Sequence, residues 1–259
     1  MRFSGTPRPD FDYMQEEKRA TGLKRVWEVL SRDYIRLYAA GMLNVLTMVP
    51  LGFLLGYAQA THSILISMLG GILGGMIAAP CFYGMCDSLM RSLRNDYTGW
   101  REQYGTSIRE NWKSTLFPGA FWGMIFSLQF FILMHLHVLD GGVLILVSLF
   151  VSIVVFTGLF LWFISQHVLI QIGFAALFKN SFLLFFRFFP KTVEITAAAL
   201  VYLGLLLRMF PNSVFLLISA GFWLPLLCIF LIIYPSLDQI FSIEITLQKR
   251  KKSSAQNED

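Results

Sequence analysis

Charged residues are scarce in this sequence, and long stretches contain none at all. Only 14% of the 259 residues are Asp, Glu, Lys or Arg, whereas a soluble domain contains about a quarter. None occurs in 37–86, 115–138 or 141–178. Too few polar residues remain to cover a water-soluble protein of this length. Apolar runs of about twenty residues are long enough to cross a bilayer as helix, so the sequence predicts a polytopic α-helical membrane protein.

Patterns that carry chemistry are also missing. The three cysteines occur at no metal-like spacing, and we interpret them as buried small hydrophobic residues. No Walker-type phosphate loop, nucleophile elbow or HExxH pattern occurs. Ionisable residues inside a membrane are usually functional, and Glu194 is interpreted as a first-turn acid that the helix dipole favours. The sequence therefore predicts no catalytic residue and no cofactor.

Six apolar segments predict six membrane spans: Leu37–Ala58, Ser63–Met85, Thr115–His135, Gly142–Ile164, Val193–Met209 and Ser213–Tyr234. The Lys and Arg counts before, between and after these spans are 8, 0, 5, 0, 3, 1 and 4. Positive charge stays on the cytoplasmic side. We therefore expect both termini and the two long connections to be cytoplasmic. The chain divides into a polar segment (1–33), a membrane domain (34–240) and a basic tail (241–259).

The first long connection, Asp87–Ser114, interrupts the apolar sequence with charge and carries an aromatic-rich stripe. Four residues recur at every fourth position and therefore share one side of a helix: Trp100, Tyr104, Ile108 and Trp112. Aromatic rings beside basic residues are typical of a helix at the membrane–water interface. Gly99 and Gly105 predict that this connecting helix is broken into two pieces.

The second long connection contains a comparable segment, FAALFKNSFLLFFRFFPKT. Its phenylalanines cover most of one side of a helix, and its polar residues are Lys179, Asn180, Arg187 and Lys191. The predicted fold is therefore all-α, with six transmembrane helices and two amphipathic cytoplasmic connecting helices. Anionic lipid is sufficient to explain the net charge of +5, so the bilayer is an expected partner and nucleic acid is not.

Glycines recur at helix-packing spacing in the first two spans. Three GxxxG pairs occur: Gly52 with Gly56, Gly70 with Gly74, and Gly71 with Gly75. Such pairs let two helix backbones approach closely. Because about four residues join these two spans, we expect the glycines to pack the spans together within one chain. A face between two copies of the chain is the alternative.

Polar residues near or inside the spans allow two further interpretations. His62, His135, His137 and Asp140 all fall on the predicted outer side. A divalent metal could use such side chains, but His135 and His137 point about 200° apart on a helix. We interpret them as interfacial histidines and assign no metal site.

Uncharged polar residues such as Gln129 also occur inside the spans. They are predicted to form hydrogen bonds between helices, and the alternative is that they line a path for a neutral solute.

Several segments resemble a known family. They are LNVLTMVPLGFLL, GGMIAAPCFYGMCDSLMRSLRND, the W-x3-Y-x7-W pattern from Trp100 to Trp112, and ALFKNSFLLFFRFFPKT. Together they resemble the YesL-like bacterial membrane proteins over about Trp27 to Tyr234. The resemblance implies a compact multi-span protein of a bacterial, mainly Gram-positive, plasma membrane, often encoded beside genes for carbohydrate uptake. It implies no active-site residue.

Three functional hypotheses follow. The first is a non-enzymatic accessory or scaffold protein, linked to carbohydrate uptake and partnered by a sugar ABC importer or another membrane protein. The second is a permease for a neutral solute, which polar residues in the spans and a faint similarity between the two halves favour. The third, an enzyme that acts on lipid, lacks a credible acid, base or nucleophile. We expect the first.

Overall fold

The computed structural model describes residues 6–7, 22–94, 100–136, 142–209 and 211–241. These residues form eight helices and one short strand pair. In chain order the helices are α1 (Leu23–Ala60), α2 (Ile64–Leu93), α3 (Trp100–Met134), α4 (Gly142–Leu169), α5 (Phe174–Arg187), α6 (Phe189–Arg208), α7 (Ser213–Ser219) and α8 (Trp223–Phe241). Strands β1 (Thr6–Pro7) and β2 (Ile170–Gln171) pair antiparallel, with Thr6 opposite Gln171.

Six of the described helices are long and apolar enough to cross a membrane: α1, α2, α3, α4, α6 and α8. The predicted all-α fold with six transmembrane helices is confirmed. Large apolar side chains cover much of the outer surface, and Phe53 and Leu144 are 74% and 77% exposed. A surface of this kind is unfavourable in water and suits contact with lipid chains.

Helix α2 lies between α1 and α3 and runs antiparallel to both, because its glycines meet Leu51 and Leu54 on one side and Gly119 and Gly123 on the other. The bundle therefore has two ends. We call the end at which α2 finishes and α1 and α3 begin the Asp87 end. We call the opposite end, at which α1 finishes and α2 begins, the His62 end.

The large buried side chains are concentrated toward the Asp87 end. Trp162, Tyr83, Phe163 and Phe230 are the largest of those that are fully buried, and they come from α2, α4 and α8. Aromatic side chains of this size bury more apolar area than any others. The last part of α4 is thus enclosed by its neighbours, whereas its first part carries exposed residues such as Val143 and Phe150.

The first predicted connecting helix is not a separate element. Helix α3 begins at Trp100 and continues without interruption to Met134. The predicted break at Gly105 is therefore wrong, and Gly99 lies outside the described residues. One glycine inside a helix costs only about 1 kcal/mol relative to alanine. The packing of Tyr104 against α2 offsets that cost. The second connecting helix is a separate element, α5, as predicted.

The sixth predicted span, Ser213–Tyr234, is wrong as one continuous helix. The structure divides it into α7 and α8, and the spanning helix is Trp223–Phe241. The division occurs at Gly221, whose φ of 51° lies in the left-handed region that glycine adopts readily. The Tyr202 hydroxyl on α6 donates a hydrogen bond to the Gly221 carbonyl oxygen and holds this turn.

Candidate functional site

Helix α2 presents two of its glycines to α1. A Cβ atom at Gly74 would lie 2.7 Å from the Leu51 Cβ atom, and one at Gly70 would lie 3.0 Å from the Leu54 Cβ atom. These separations are shorter than van der Waals contact between carbon atoms, which is about 3.5–4.0 Å. Only a residue without a Cβ therefore allows α1 to lie this close.

The other two glycines of α2 face α3. A Cβ atom at Gly71 would lie 2.5 Å from the Gly123 carbonyl oxygen. A Cβ atom at Gly75 would meet the Gly119 carbonyl oxygen and lie 3.0 Å from the Gly123 Cα atom. Backbone meets backbone here, so the two helices are in direct contact over this length.

Sequence analysis missed the α3 half of this contact. Gly119, Gly123 and Ser127 recur at every fourth position in PGAFWGMIFS, which is the same small-residue spacing that was recognised in α2. The Ser67 hydroxyl on α2 donates a 3.1 Å hydrogen bond to the Ser127 carbonyl oxygen. The signal was present in the sequence.

Gly52 and Gly56 do not take part in this packing, so the prediction is wrong for this pair. Among the described residues, no atom of another helix lies within 4 Å of where their Cβ atoms would stand. They face outward and form the floor of an open apolar groove beside Phe53 and Tyr57. The physical reason is the orientation of α1, which turns Leu51 and Leu54 toward α2 and both Gly52 and Gly56 away from it.

The stripe at the start of α3 has an inner and an outer part. A Cβ atom at Gly84 of α2 would lie 3.0 Å from the Tyr104 ring and 3.1 Å from the Ile108 side chain. Tyr104 is buried. Trp112 is 46% exposed, and the Lys113 ammonium lies 5.6 Å from the centre of its ring. The Trp100 side chain lies outside the described residues. The stripe thus joins α2 at Tyr104 and reaches the surface at Trp112.

The phenylalanines of α5 point in two directions. Phe178 packs against Trp122 of α3 with ring centres 6.4 Å apart, and Phe185 is buried. Phe182 and Phe186 are 51% and 59% exposed and contact each other at 4.9 Å between ring centres. We call Phe182, Phe186 and the exposed Phe189, which follows at the start of α6, the outer phenylalanine face.

Charged side chains pack together at the Asp87 end of the bundle. Asp87 and Arg91 are 3% and 9% exposed and form an ion pair at 3.1 Å. Arg25 and Arg32 of α1 donate hydrogen bonds of 2.6 and 2.7 Å to backbone carbonyl oxygens in the last turn of α2. Cations are favourable at a helix C-terminus, where carbonyl groups lack helical partners. The connection predicted at Asp87–Ser114 therefore begins later, because its first part is the buried end of α2.

Polar side chains also link α4 to α5 and α6. Gln166 Nε2 donates a 3.0 Å hydrogen bond to the Ser181 hydroxyl, and Trp162 Nε1 donates one of 2.9 Å to the Thr192 hydroxyl. The His167 ring contacts the Tyr83 ring of α2. Sequence analysis missed this cluster because the fourth span was predicted to end at Ile164. Gln166, His167, Ser181 and Thr192 therefore fell in the second long connection of the predicted fold, whereas the structure places them in buried helix.

Two of the four outer polar residues come together at the His62 end. His62 Nδ1 lies 2.8 Å from His135 Nε2, and the two rings are nearly perpendicular. His135 Nδ1 lies 3.0 Å from the Phe131 carbonyl oxygen. His137 and Asp140 lie outside the described residues. Within the described ranges, no group of three or more His, Cys, Asp or Glu side chains is arranged to hold a metal ion.

The uncharged polar residues of the spans mostly bond within the protein. Gln129 Nε2 of α3 donates a 3.0 Å hydrogen bond to the Ser152 hydroxyl of α4. The Thr47 and Ser127 hydroxyls each donate at 2.9 Å to a carbonyl oxygen three residues earlier in the same helix. Ser148 is exposed on the outer surface of α4. Of these side chains, Gln129 and Ser152 join two helices, whereas Thr47 and Ser127 bond within their own helix.

Comparison with known proteins finds no matching family model, no matching curated protein and no matching solved structure.

Proposed function

We propose that this chain is a non-enzymatic accessory or scaffold protein of a bacterial plasma membrane, with both termini in the cytoplasm, that assists a carbohydrate importer. The internal hydrogen bonding of polar side chains in the spans is the observation that carries this proposal. A permease must offer polar groups to its solute. Here the Gln129 amide and the Ser127 and Thr47 hydroxyls already have partners within the protein.

The outer phenylalanine face supports a role in binding another protein. Phe182 and Phe186 are exposed side by side on α5, and Lys179 and Arg187 on the same helix are exposed as well. Aromatic residues and arginine are the residue types that most often dominate binding energy at protein interfaces. The occupant we propose is a membrane subunit of the importer. The link to carbohydrate rests on the family resemblance of the sequence.

Uptake measurements in cells test this proposal. The initial rate of sugar uptake is measured for a panel of sugars in a strain that lacks the gene and in the same strain expressing each variant. Wild-type protein should restore uptake, whereas the double variant Phe182→Ser/Phe186→Ser should not. The matched control is Leu146→Ser/Phe150→Ser on α4, which removes two equally exposed apolar side chains and should restore uptake. Unchanged uptake in the deletion strain would contradict the importer link.

A second measurement separates the accessory role from transport by the chain itself. The purified protein is inserted into liposomes, and entry of labelled sugars is followed without any other protein. We expect entry no faster than into protein-free liposomes. Saturable entry would overturn the accessory role and support the permease alternative. The proposal requires both results: reduced sugar uptake in the strain that lacks the gene, and no sugar entry into liposomes that contain only this protein.

A further inference from the structure

The histidine pair at the His62 end brings together two residues that are 73 positions apart in the sequence. His62 lies in the turn after α1, and His135 follows the last residue of α3. His62 has a φ of 50°, which lies in the left-handed region that non-glycine residues rarely adopt. The contact between His62 and His135 thus joins the end of α1 to the end of α3, and the backbone of His62 has an unfavourable conformation at this point.

The hydrogen bonds of His135 define which of its ring nitrogens carries the proton and which carries the lone pair. A carbonyl oxygen can only accept a hydrogen bond, so the contact with the Phe131 oxygen at 3.0 Å places the proton on His135 Nδ1. His135 Nε2 then carries a lone pair, and it is this atom that faces His62 Nδ1 at 2.8 Å. Metal-binding histidines almost always donate their other N–H to a carboxylate, a backbone carbonyl or water. His135 therefore already has the outer hydrogen bond of a metal ligand.

We propose that His62 Nδ1 and His135 Nε2 together bind one divalent first-row transition metal ion. Imidazole suits Zn²⁺, Cu²⁺ and Ni²⁺. Metal–nitrogen distances of about 2.0–2.1 Å place two nitrogens of a tetrahedral site roughly 3.3 Å apart. The observed separation of 2.8 Å needs only a small rotation of the exposed His62 ring to reach this value. Water completes the coordination of the ion.

Binding requires one proton to move. Without metal, His62 Nδ1–H donates to His135 Nε2. When the ion binds, the proton on His62 Nδ1 leaves to solvent, and His62 Nε2 takes up one from solvent. In this exchange both rings stay neutral and no net proton is released.

We expect the coordination geometry of this site to give little selectivity among divalent metal ions. Two protein ligands and several waters impose little constraint on coordination, so affinity should follow the intrinsic order of divalent ions, with Cu²⁺ above Ni²⁺ and Zn²⁺, and Mn²⁺ weakest. Because the ligands sit on two helix ends, an ion would also fasten α1 to α3. Binding should therefore raise the melting temperature of the protein, as any ligand of the folded state does.

Titration of the full chain in detergent, purified without a polyhistidine tag, tests the proposal. Cu²⁺, Ni²⁺, Zn²⁺ and Mn²⁺ are each added as the free ion in competition with a chromophoric chelator. We expect saturation at one ion per chain in the stated order. His62→Ala and His135→Ala should each weaken Cu²⁺ binding at least tenfold. The electron paramagnetic resonance spectrum of the Cu²⁺ form should show coupling to two imidazole nitrogens.

A rescue variant separates ligation from a purely structural role. His62→Cys supplies a thiolate ligand, so Zn²⁺ should bind it and raise its melting temperature, whereas Zn²⁺ should leave the melting temperature of His62→Ala unchanged. Melting temperatures without metal show that the variants are folded. Cu²⁺ binding of wild-type strength by His62→Ala, or a spectrum without imidazole coupling, would overturn the proposal. If the double variant His62→Ala/His135→Ala still bound Cu²⁺, the ion would lie elsewhere, and this result would also overturn the proposal.

Discussion

The contact between α2 and α3 can be tested with a single methyl group. In Gly75→Ala, the new Cβ atom would meet the Gly119 carbonyl oxygen and come within 3.0 Å of both the Gly119 carbonyl carbon and the Gly123 Cα atom. All three are backbone atoms, which cannot rotate out of the way as a side chain can. The two helices must therefore move apart, and van der Waals contact is lost along the shared surface.

The matched control for this substitution is Gly52→Ala on α1. No atom of another described helix lies near its Cβ position, so the variant gains the helix preference of alanine, about 0.5–1 kcal/mol. Forcing an extra carbon into a packed core typically costs about 1–3 kcal/mol. Gly75→Ala gains the same helix preference, so this preference cancels between the two variants. They should therefore differ in unfolding free energy by about 1–3 kcal/mol.

Thermal unfolding in mild detergent, followed by circular dichroism, is the assay. At about 2–4 °C per kcal/mol for a chain close to this size, Gly75→Ala should melt roughly 2–12 °C below Gly52→Ala. Wild-type protein should lie between them or near the control. Equal melting temperatures for both variants would show that α2 and α3 are not in backbone contact at Gly75, and the reasoning about close approach would be wrong.

Three other predictions concern the Asp87 end and the orientation of the chain. Asp87→Asn removes the carboxylate beside the buried Arg91 guanidinium and should destabilise the protein by about 3–5 kcal/mol, as loss of one partner of a buried pair does. Tyr104→Ala empties the contact with α2 and should cost about 3 kcal/mol of unfolding free energy. A reporter at the C-terminus or near Thr98 should read cytoplasmic, and one near Asp140 should read external.

Each of these predictions has a control or a contrary outcome. Glu102→Gln and Arg109→Gln change exposed charges on α3 and should alter the unfolding free energy by less than about 0.5 kcal/mol. If either control were as damaging as Asp87→Asn or Tyr104→Ala, burial would not explain the effect. An external reading at the C-terminus would contradict the orientation inferred from Lys and Arg placement.

The fold could be predicted from the sequence because the membrane imposes a strong length rule. Runs of about twenty apolar residues separated by charged or polar stretches reveal the spans directly. The ends of helices were less predictable. Helix α2 continues through Asp87 and Arg91 to Leu93, since charged residues remain helical when tertiary partners bury them. The interruption at Gly221 was missed although the run carries a sign of it, because Pro225 follows four residues later and proline favours the first turn of a helix over its interior.

The glycine contacts illustrate which part of the packing could be predicted. The spacing of the glycines indicates that another helix approaches α2 closely, but it does not identify which helix this is. Gly70 and Gly74 meet α1, whereas Gly71 and Gly75, one position further along, meet α3. Adjacent residues on a helix point about 100° apart, so two interleaved pairs can serve two different neighbours. The partner can be identified only once the three helices are placed.

The outer phenylalanine face owes its position to the polar cluster behind it. Helix α5 is only 14 residues long, and an isolated helix of that length is marginal in water. The Gln166–Ser181 hydrogen bond holds it against α4, and the burial of Phe185 holds it against the bundle. Phe182 and Phe186 are therefore presented on a fixed support, and a partner would not have to order them on binding. Because ordering a mobile segment subtracts from binding free energy, this arrangement favours a docking surface over a segment that merely connects two spans.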